Sequence, residues 1–210
     1  MSRILITSGP TRQYLDPVRY LTNASSGRMG RELAKAALAL DHDVVVVSGP
    51  VQVRYPDGVE LVDVVSTEEM LDACCEIFPS CDGLIGAAAP CDYRPRKILT
   101  EKIAKTGEPL QLQLIETPDV VAALGNQKQP SQWLVGFALE TTDPRIRALI
   151  KLEKKSCDLM VLNGPQAIDS ENNRVEILDR TGNMVAEVEG SKVTVANAIL
   201  QVVQSRLIDS

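Results

Sequence analysis

One stretch constrains this chain more than any other: Thr7–Gly30, TSGPTRQYLDPVRYLTNASSGRMG. It starts where an apolar run, Ile4, Leu5 and Ile6, stops, and it ends where an amphipathic helical pattern begins. A strand, then a long loop of hydroxyls, amides, arginines, glycine and proline, then a helix, is the opening crossover of an open α/β sheet. In such sheets ligands bind at the carboxyl edge of the strands. The chain beyond agrees with this start. Apolar runs at 43–48, 59–65, 82–88, 133–139 and 158–163 alternate with helical patterns at about 27–40, 67–77, 117–124 and 144–155. The alternation predicts an α/β fold: a Rossmann-like, mostly parallel sheet with helices on both faces.

Three segments break the alternation. Residues 89–109 are polar, basic and without a period, which predicts a functional loop, with a flap at about 94–109. Residues 110–116, LQLQLIE, alternate strictly and predict a half-exposed strand. Arg174–Leu178 and Met184–Val188 flank a DRTGN turn and predict an antiparallel hairpin. Ser191 then caps a last helix that carries Val195, Ile199, Val202 and Val203 on one face. With no internal repeat and no long linker, residues 1–210 read as a single domain.

Composition narrows the function classes. Aromatic content of 3% and a net charge of −6 argue against a nucleic-acid surface. Five cysteines, odd in number and without CxxC spacing, predict reduced thiols and a cytoplasmic location. His42 is the only histidine, so a His-rich metal site is unavailable. No apolar run approaches the length of a membrane span.

The candidate residues each carry an ordinary alternative. In ASSGRMG (24–30), Gly27 and Gly30 let backbone N–H groups approach an anion; the alternative is plain helix capping. Arg12 and Arg19 offer forks for carboxylate or phosphate; the alternative is a salt-bridged loop with Asp16 as partner. In GAAAPCD (86–92), small side chains let a ligand lie on the backbone, and Asp92 could hold Mg²⁺ or a ligand amine; the alternative is close strand packing. Lys102 and Lys105 on the flap could reach a triphosphate, or simply face solvent. Arg147, Lys151 and Lys155, at i, i+4 and i+8, form a basic stripe or a solvated helix face.

Taken in order, these segments resemble one known family. ITSGPTRQYLDPVRYLTNASSGRMG (6–30), VVSGP (46–50), GAAAPCDYRP (86–95), EKIAK (101–105), TPDVV (117–121), VGFALET (135–141), the Lys151/Lys155 pair and DLMVLN (158–163) are similar to the bacterial, CTP-dependent phosphopantothenoylcysteine synthetases of coenzyme A biosynthesis. The resemblance implies a ligase. The carboxylate of 4′-phosphopantothenate attacks the α-phosphate of CTP, pyrophosphate leaves, and the amine of L-cysteine then displaces CMP from the acyl-cytidylate. It implies Mg²⁺ as cofactor, a homodimer with a small antiparallel dimerisation element (164–190 or 110–116), and association with a separate flavin-dependent decarboxylase. Carried over by position, Asn23 and Lys102 are the catalytic residues. Arg19, Asn23, Ala88 and Ala89 face the acid substrate. Gly86, Ala87, Ala88, Asp92, Lys102, Pro118, Asp119, Val120, Val121, Phe137, Lys151 and Lys155 face the nucleotide. Metal ligands do not follow from it. Ala104 stands where the family pattern has another flap lysine, leaving Lys105 as the second flap charge.

Two other classes compete. A dinucleotide-dependent oxidoreductase on a similar sheet would need GxGxxG after the first strand and an acidic residue after the second, where Ser48-Gly49-Pro50 stands. A nucleotide-binding regulatory module would keep the loops but would not need Lys102.

Overall fold

The computed structural model describes residues 1–139, 143–164 and 172–209. Six parallel strands form the centre of the sheet: β1 (Arg3–Ser8), β4 (Asp43–Ser48), β5 (Val59–Asp63), β6 (Gly83–Gly86), β9 (Trp133–Leu139) and β10 (Leu159–Asn163). In space they run β5-β4-β1-β6-β9-β10. Strand order therefore reverses between β1 and β6, and their two crossovers leave in opposite directions. This is the switch point at which an open α/β sheet leaves a crevice.

The inner strands β4, β1, β6, β9 and β10 are apolar because both faces are covered, whereas the edge strand β5 leaves Glu60 and Leu61 exposed. On one face Ile4, Ile6, Val44 and Val46 pack with Leu33, Ala34 and Ala37 of helix α1 (Arg28–Leu38). The same cluster takes Val195, Ile199 and Val203 from the last helix, α5 (Lys192–Val203). On the other face Leu5, Val45 and Leu84 pack with Met70 and Cys74 of α2 (Thr67–Ile77), Leu124 of α3 (Val120–Gln127) and Ala148 and Leu152 of α4 (Pro144–Lys154). The capping pattern expected of α2 is present, since Ser66 accepts from the Glu69 N–H at 3.1 Å. α5 returns from the sheet's edge to lie beside α1. His42, just after α1, ties it there: Nδ1 accepts from the Ser2 N–H, so Nε2 donates to Gln204 Oε1 at 2.9 Å.

The predicted hairpin is β11 (Asn172–Asp179) and β12 (Met184–Ser191). It does not stand apart. β11 pairs antiparallel with β10, with Met160 opposite Leu178, and extends the main sheet to eight strands. Of the expected antiparallel element at 164–190, residues 165–171 lie outside the described residues.

The strand expected at 110–116 is shorter than its alternation suggests. Only β8 (Leu114–Glu116) forms, and it pairs with β7 (Tyr93–Pro95) away from the main sheet. Leu110, Leu112, Leu114 and Ile115 are all exposed, because this segment lies outside the covered layers of the main sheet. The first loop holds a second ribbon, β2 (Arg12–Tyr14) with β3 (Tyr20–Thr22), and β2 packs beside β7. α3 also starts later than expected. Asp119 takes the N-cap, its carboxylate accepting from the Ala122 N–H, so Pro118 precedes the helix rather than opening it. No helix among the described residues is long and apolar enough to cross a membrane.

Candidate active site

The crevice at the switch point is built by sewing the segment after β6 onto the loop after β1. The Ala87 N–H donates to Thr7 O, and the Ala89 N–H donates to Gly9 O at 2.9 Å. The Cys91 N–H donates to Thr11 Oγ1 at 2.8 Å, and the Asn23 amide donates through Nδ2 to Pro90 O at 2.8 Å. Two hydroxyls hold the same segment, with the half-buried Thr117 Oγ1 and the buried Thr67 Oγ1 donating to Cys91 O. The run of small residues at 86–89 thus serves close packing, as its alternative reading had it. The wall it makes is nonetheless open to a ligand on its other side.

That side is a cavity of about 360 Å³, in the lower part of the range used for small molecules. Gly86, Ala88, Pro90 and Asp92 form one wall. Pro118, Asp119, Val120 and Val121, at the start of α3, form the second, and Phe137 of β9 lies at the base. Gly86 has no room for a side chain, since a Cβ there would meet Val121 Cγ2 at 2.7 Å. Lys154 and Lys155, at the carboxyl end of α4, close the third side. Lys155 Nζ lies 3.0 Å from the Asp119 carboxylate. α3 and α4 meet so closely because Gly125 packs directly on the Lys155 carbonyl.

Nine of the residues expected to face nucleotide line this cavity: Gly86, Ala88, Asp92, Pro118, Asp119, Val120, Val121, Phe137 and Lys155. The others stand elsewhere. Ala87 packs into the sheet's core face, and Ala89 bridges to Pro10. Asn23 reaches the rim through Pro90. Lys151 sits one turn back on α4. Lys102 is exposed on the flap and does not line the cavity. The guanidinium of Arg19 points to the flap rather than to the cavity, pairing with Asp16 and donating to the Ile103 carbonyl.

Lys154 was missed by sequence reasoning. The helical stripe that selects Arg147, Lys151 and Lys155 excludes it, but α4 ends at Lys154 and Lys155 has left helical geometry, so the two neighbours face the same space. Glu116 and Thr117 also line the cavity.

The rest of the first loop faces a second, more open cleft of about 770 Å³, where Arg12, Arg28, Arg31 and Arg54 surround Ser25 and Ser26. Arg12 stacks over the Tyr20 ring at 4.5 Å, and Arg31 pairs with Glu32. No side chain caps α1: its N-cap is Gly27 at φ 72°, a left-handed conformation that favours glycine, and a Cβ there would meet Val51. The motif thus caps the helix as its plain alternative had it, through a glycine and without a side-chain hydrogen bond.

Two features bear on reactivity. Asp16 is fully buried. Burial alone would raise its carboxyl, but N–H donation from Ile103, Val18 and Arg19, with the Arg19 charge, outweighs that, and the net shift is downward. The buried thiols run the other way. Burial pushes Cys74 and Cys157 up to about 12, which leaves them inert packing groups. Among the described residues no group of three or more His, Cys, Asp or Glu is placed to hold a metal ion unaided.

Comparison with known proteins matches this geometry to a family. The chain is 38% identical over 208 residues to the coenzyme A biosynthesis bifunctional protein CoaBC of Vibrio vulnificus (strain CMCP6), covering 96% of this chain and 52% of that one. It is 37% identical over 203 residues to CoaBC of Bacillus subtilis (strain 168), covering 94% of this chain and 50% of that one. The chain thus spans about half the length of the curated relatives it matches. The crystal structure of the C-terminal domain of CoaBC superposes with a TM-score of 0.83 at 35% identity, covering 99% of this chain and 96% of that one. The resemblance read from residues 6–163 and these matches agree, and the model of the DNA/pantothenate metabolism flavoprotein C-terminal domain, which matches residues 1–207, is that of the family to which this chain belongs.

Proposed function

We propose that the chain is a phosphopantothenate–cysteine ligase. It joins 4′-phosphopantothenate and L-cysteine through an acyl-cytidylate, using CTP and releasing pyrophosphate and CMP. The observation that carries the reading is the shared wall at Pro90. The nucleotide cavity lies on one side of this segment, and Asn23, the family's intermediate-contacting residue, hydrogen-bonds to the Pro90 carbonyl. A carboxylate held by the first loop and an α-phosphate held in the cavity would meet there, and positioning of this kind removes much of a bimolecular barrier.

The roles follow from the surroundings. The backbone of Gly86–Ala88 and the start of α3 shape the base and ribose site. Lys154 and Lys155 face the phosphates from α4. Arg12, Arg28 and Arg54 supply forks for the substrates' phosphate charge from the outer cleft. Asn23 Oδ1 is left to accept from the cysteine amine as it attacks. Lys102 serves the phosphates from a flap spanning about 94–109.

Mg²⁺ fits the donor set. Asp92, with Asp119 once Lys155 is drawn to phosphate, supplies the one or two carboxylates that this ion commonly takes beside substrate phosphates. Bound there, it would neutralise charge on the departing pyrophosphate. The exposed leucines leading into β8, Leu110, Leu112 and Leu114, support a homodimer formed at that face. The rest of the reading is a single cytoplasmic domain working beside a flavin-dependent decarboxylase.

The test is pyrophosphate release with 4′-phosphopantothenate, CTP against ATP, with and without cysteine. The expected result is CTP-dependent release, with CMP and the cysteine amide formed only when cysteine is present. No turnover with either nucleotide would sink the ligase reading.

A further inference from the structure

Asp16 is completely buried in the first loop, yet it touches neither the cavity nor the outer cleft. Its two oxygens do different jobs. Oδ1 accepts the N–H groups of Val18 and Arg19, both at 2.8 Å, which is the ordinary way an aspartate closes a turn such as the β2–β3 connection. Oδ2 is not needed for that turn. It instead accepts the N–H of Ile103, 87 residues along the chain, at 3.1 Å. The same oxygen lies 3.2 Å from Arg19 Nε, and Arg19 donates through Nη2 to the Ile103 carbonyl. Both polar groups of Ile103's backbone are thus gripped by one ion pair, much as a neighbouring strand would grip them. The Leu99 N–H adds a second tie, to Leu15 O at 3.0 Å.

We infer that Asp16 is a positioning residue: with Arg19 it clamps the flap at Ile103 and so fixes where Lys102, the preceding residue, stands relative to the first loop. The inference rests on the ligase reading for the role of Lys102, but the clamp itself does not depend on it. A lysine on an untethered loop must give up backbone and side-chain freedom each time it engages the phosphates; a clamped neighbour removes the backbone share in advance. It also gives Arg19 a second employment, on the flap, beside the one the family assigns it.

Asp16→Asn separates clamp from turn. Asparagine keeps one oxygen for the Val18 and Arg19 N–H groups but sets an NH₂ against the Ile103 N–H and Arg19 Nε, donor facing donor. Losing a charge-assisted hydrogen bond should expose the flap: trypsin cleavage after Lys102 and Lys105 is expected to rise about 10- to 100-fold without substrate. The kcat for pyrophosphate release should fall by a similar factor while the KM for cysteine stays put. Ile103→Pro removes the same hydrogen bond from the flap's side, and its cleavage is followed after Lys105. In the double variant the loss of kcat should be no larger than in the worse single one. Unchanged cleavage in Asp16→Asn, or fully additive losses in the double variant, would overturn the inference. If the wild type shows no CTP turnover, the ligase reading fails, and the proteolysis still decides the clamp.

Discussion

Gly125 is where the packing of the site is most exposed to a single methyl group. It lies inside α3, where alanine ought to stabilise by about 1 kcal/mol through helix propensity alone. A Cβ built there, however, lies 2.0 Å from the Lys155 carbonyl oxygen and 2.9 Å from its carbon. Real Cβ contacts are essentially never under 3.0 Å, so α3 has to withdraw by about an ångström. The obstacle is backbone, which has no rotamer to escape into. Overpacking of this kind costs about 1–3 kcal/mol, and here the upper end applies. The balance is a loss of about 2 kcal/mol, which for a domain of this size lowers Tm by about 4–8 °C. The withdrawal also carries Asp119 away from Lys155, now 3.0 Å apart, and moves Pro118–Val121 off the cavity. Gly125→Ala should therefore raise the KM for CTP and leave the KM for cysteine unchanged. Calorimetry and the pyrophosphate assay on one preparation read both effects. A Tm raised by the few degrees that propensity predicts, with an unchanged nucleotide KM, would refute the reasoning that a backbone contact between α3 and α4 shapes the site.

Lys155→Met tests the charge without the packing. Its partner Asp119 is well exposed, so the lost pair costs under about 1 kcal/mol, and the effect should appear almost wholly as a higher KM for CTP; an unchanged KM would remove Lys155 from the nucleotide's contacts. For Asp16, whose carboxyl is lowered in the folded chain, the stabilisation is present above the ordinary aspartate pKa and lost as pH falls through the lowered value. Tm of the wild type minus that of Asp16→Asn should thus be flat from about pH 8 to pH 5 and close only below about pH 4; a gap that narrows between pH 7 and 6 would point to another group.

The alternation of apolar runs and helical patterns was enough to read the central sheet, because the inner strands β4, β1, β6, β9 and β10 are covered on both faces and keep their apolar character. The cavity's lining was legible where the residues sit on strand ends and helix starts, as Gly86, Asp92 and Pro118–Val121 do. What escaped has two physical causes. The first is that alternation in 110–116 records apolar positions, not what covers them, and its leucines stay exposed. The second is distance along the chain. Asp16 was read as a partner for a nearby arginine, and it is one, but its other oxygen is spent on Ile103. A contact spanning 87 residues leaves no period or local spacing to find. Lys154 was lost for a narrower reason, the end of a helix, where the 3.6-residue rule stops assigning faces.

The placement of α5 has a consequence for how the molecule is made. α1 and β1 are synthesised well before Val195, Ile199 and Val203, the residues that close the apolar face they share. At ordinary elongation rates the nascent chain carries that uncovered surface for on the order of ten seconds. The order in which the face closes is thus opposite to the order in which it is written. A chain cut before Lys192 would keep every loop of the site while leaving bare the surface on which α1 depends, so its failure would be one of solubility before it was one of catalysis.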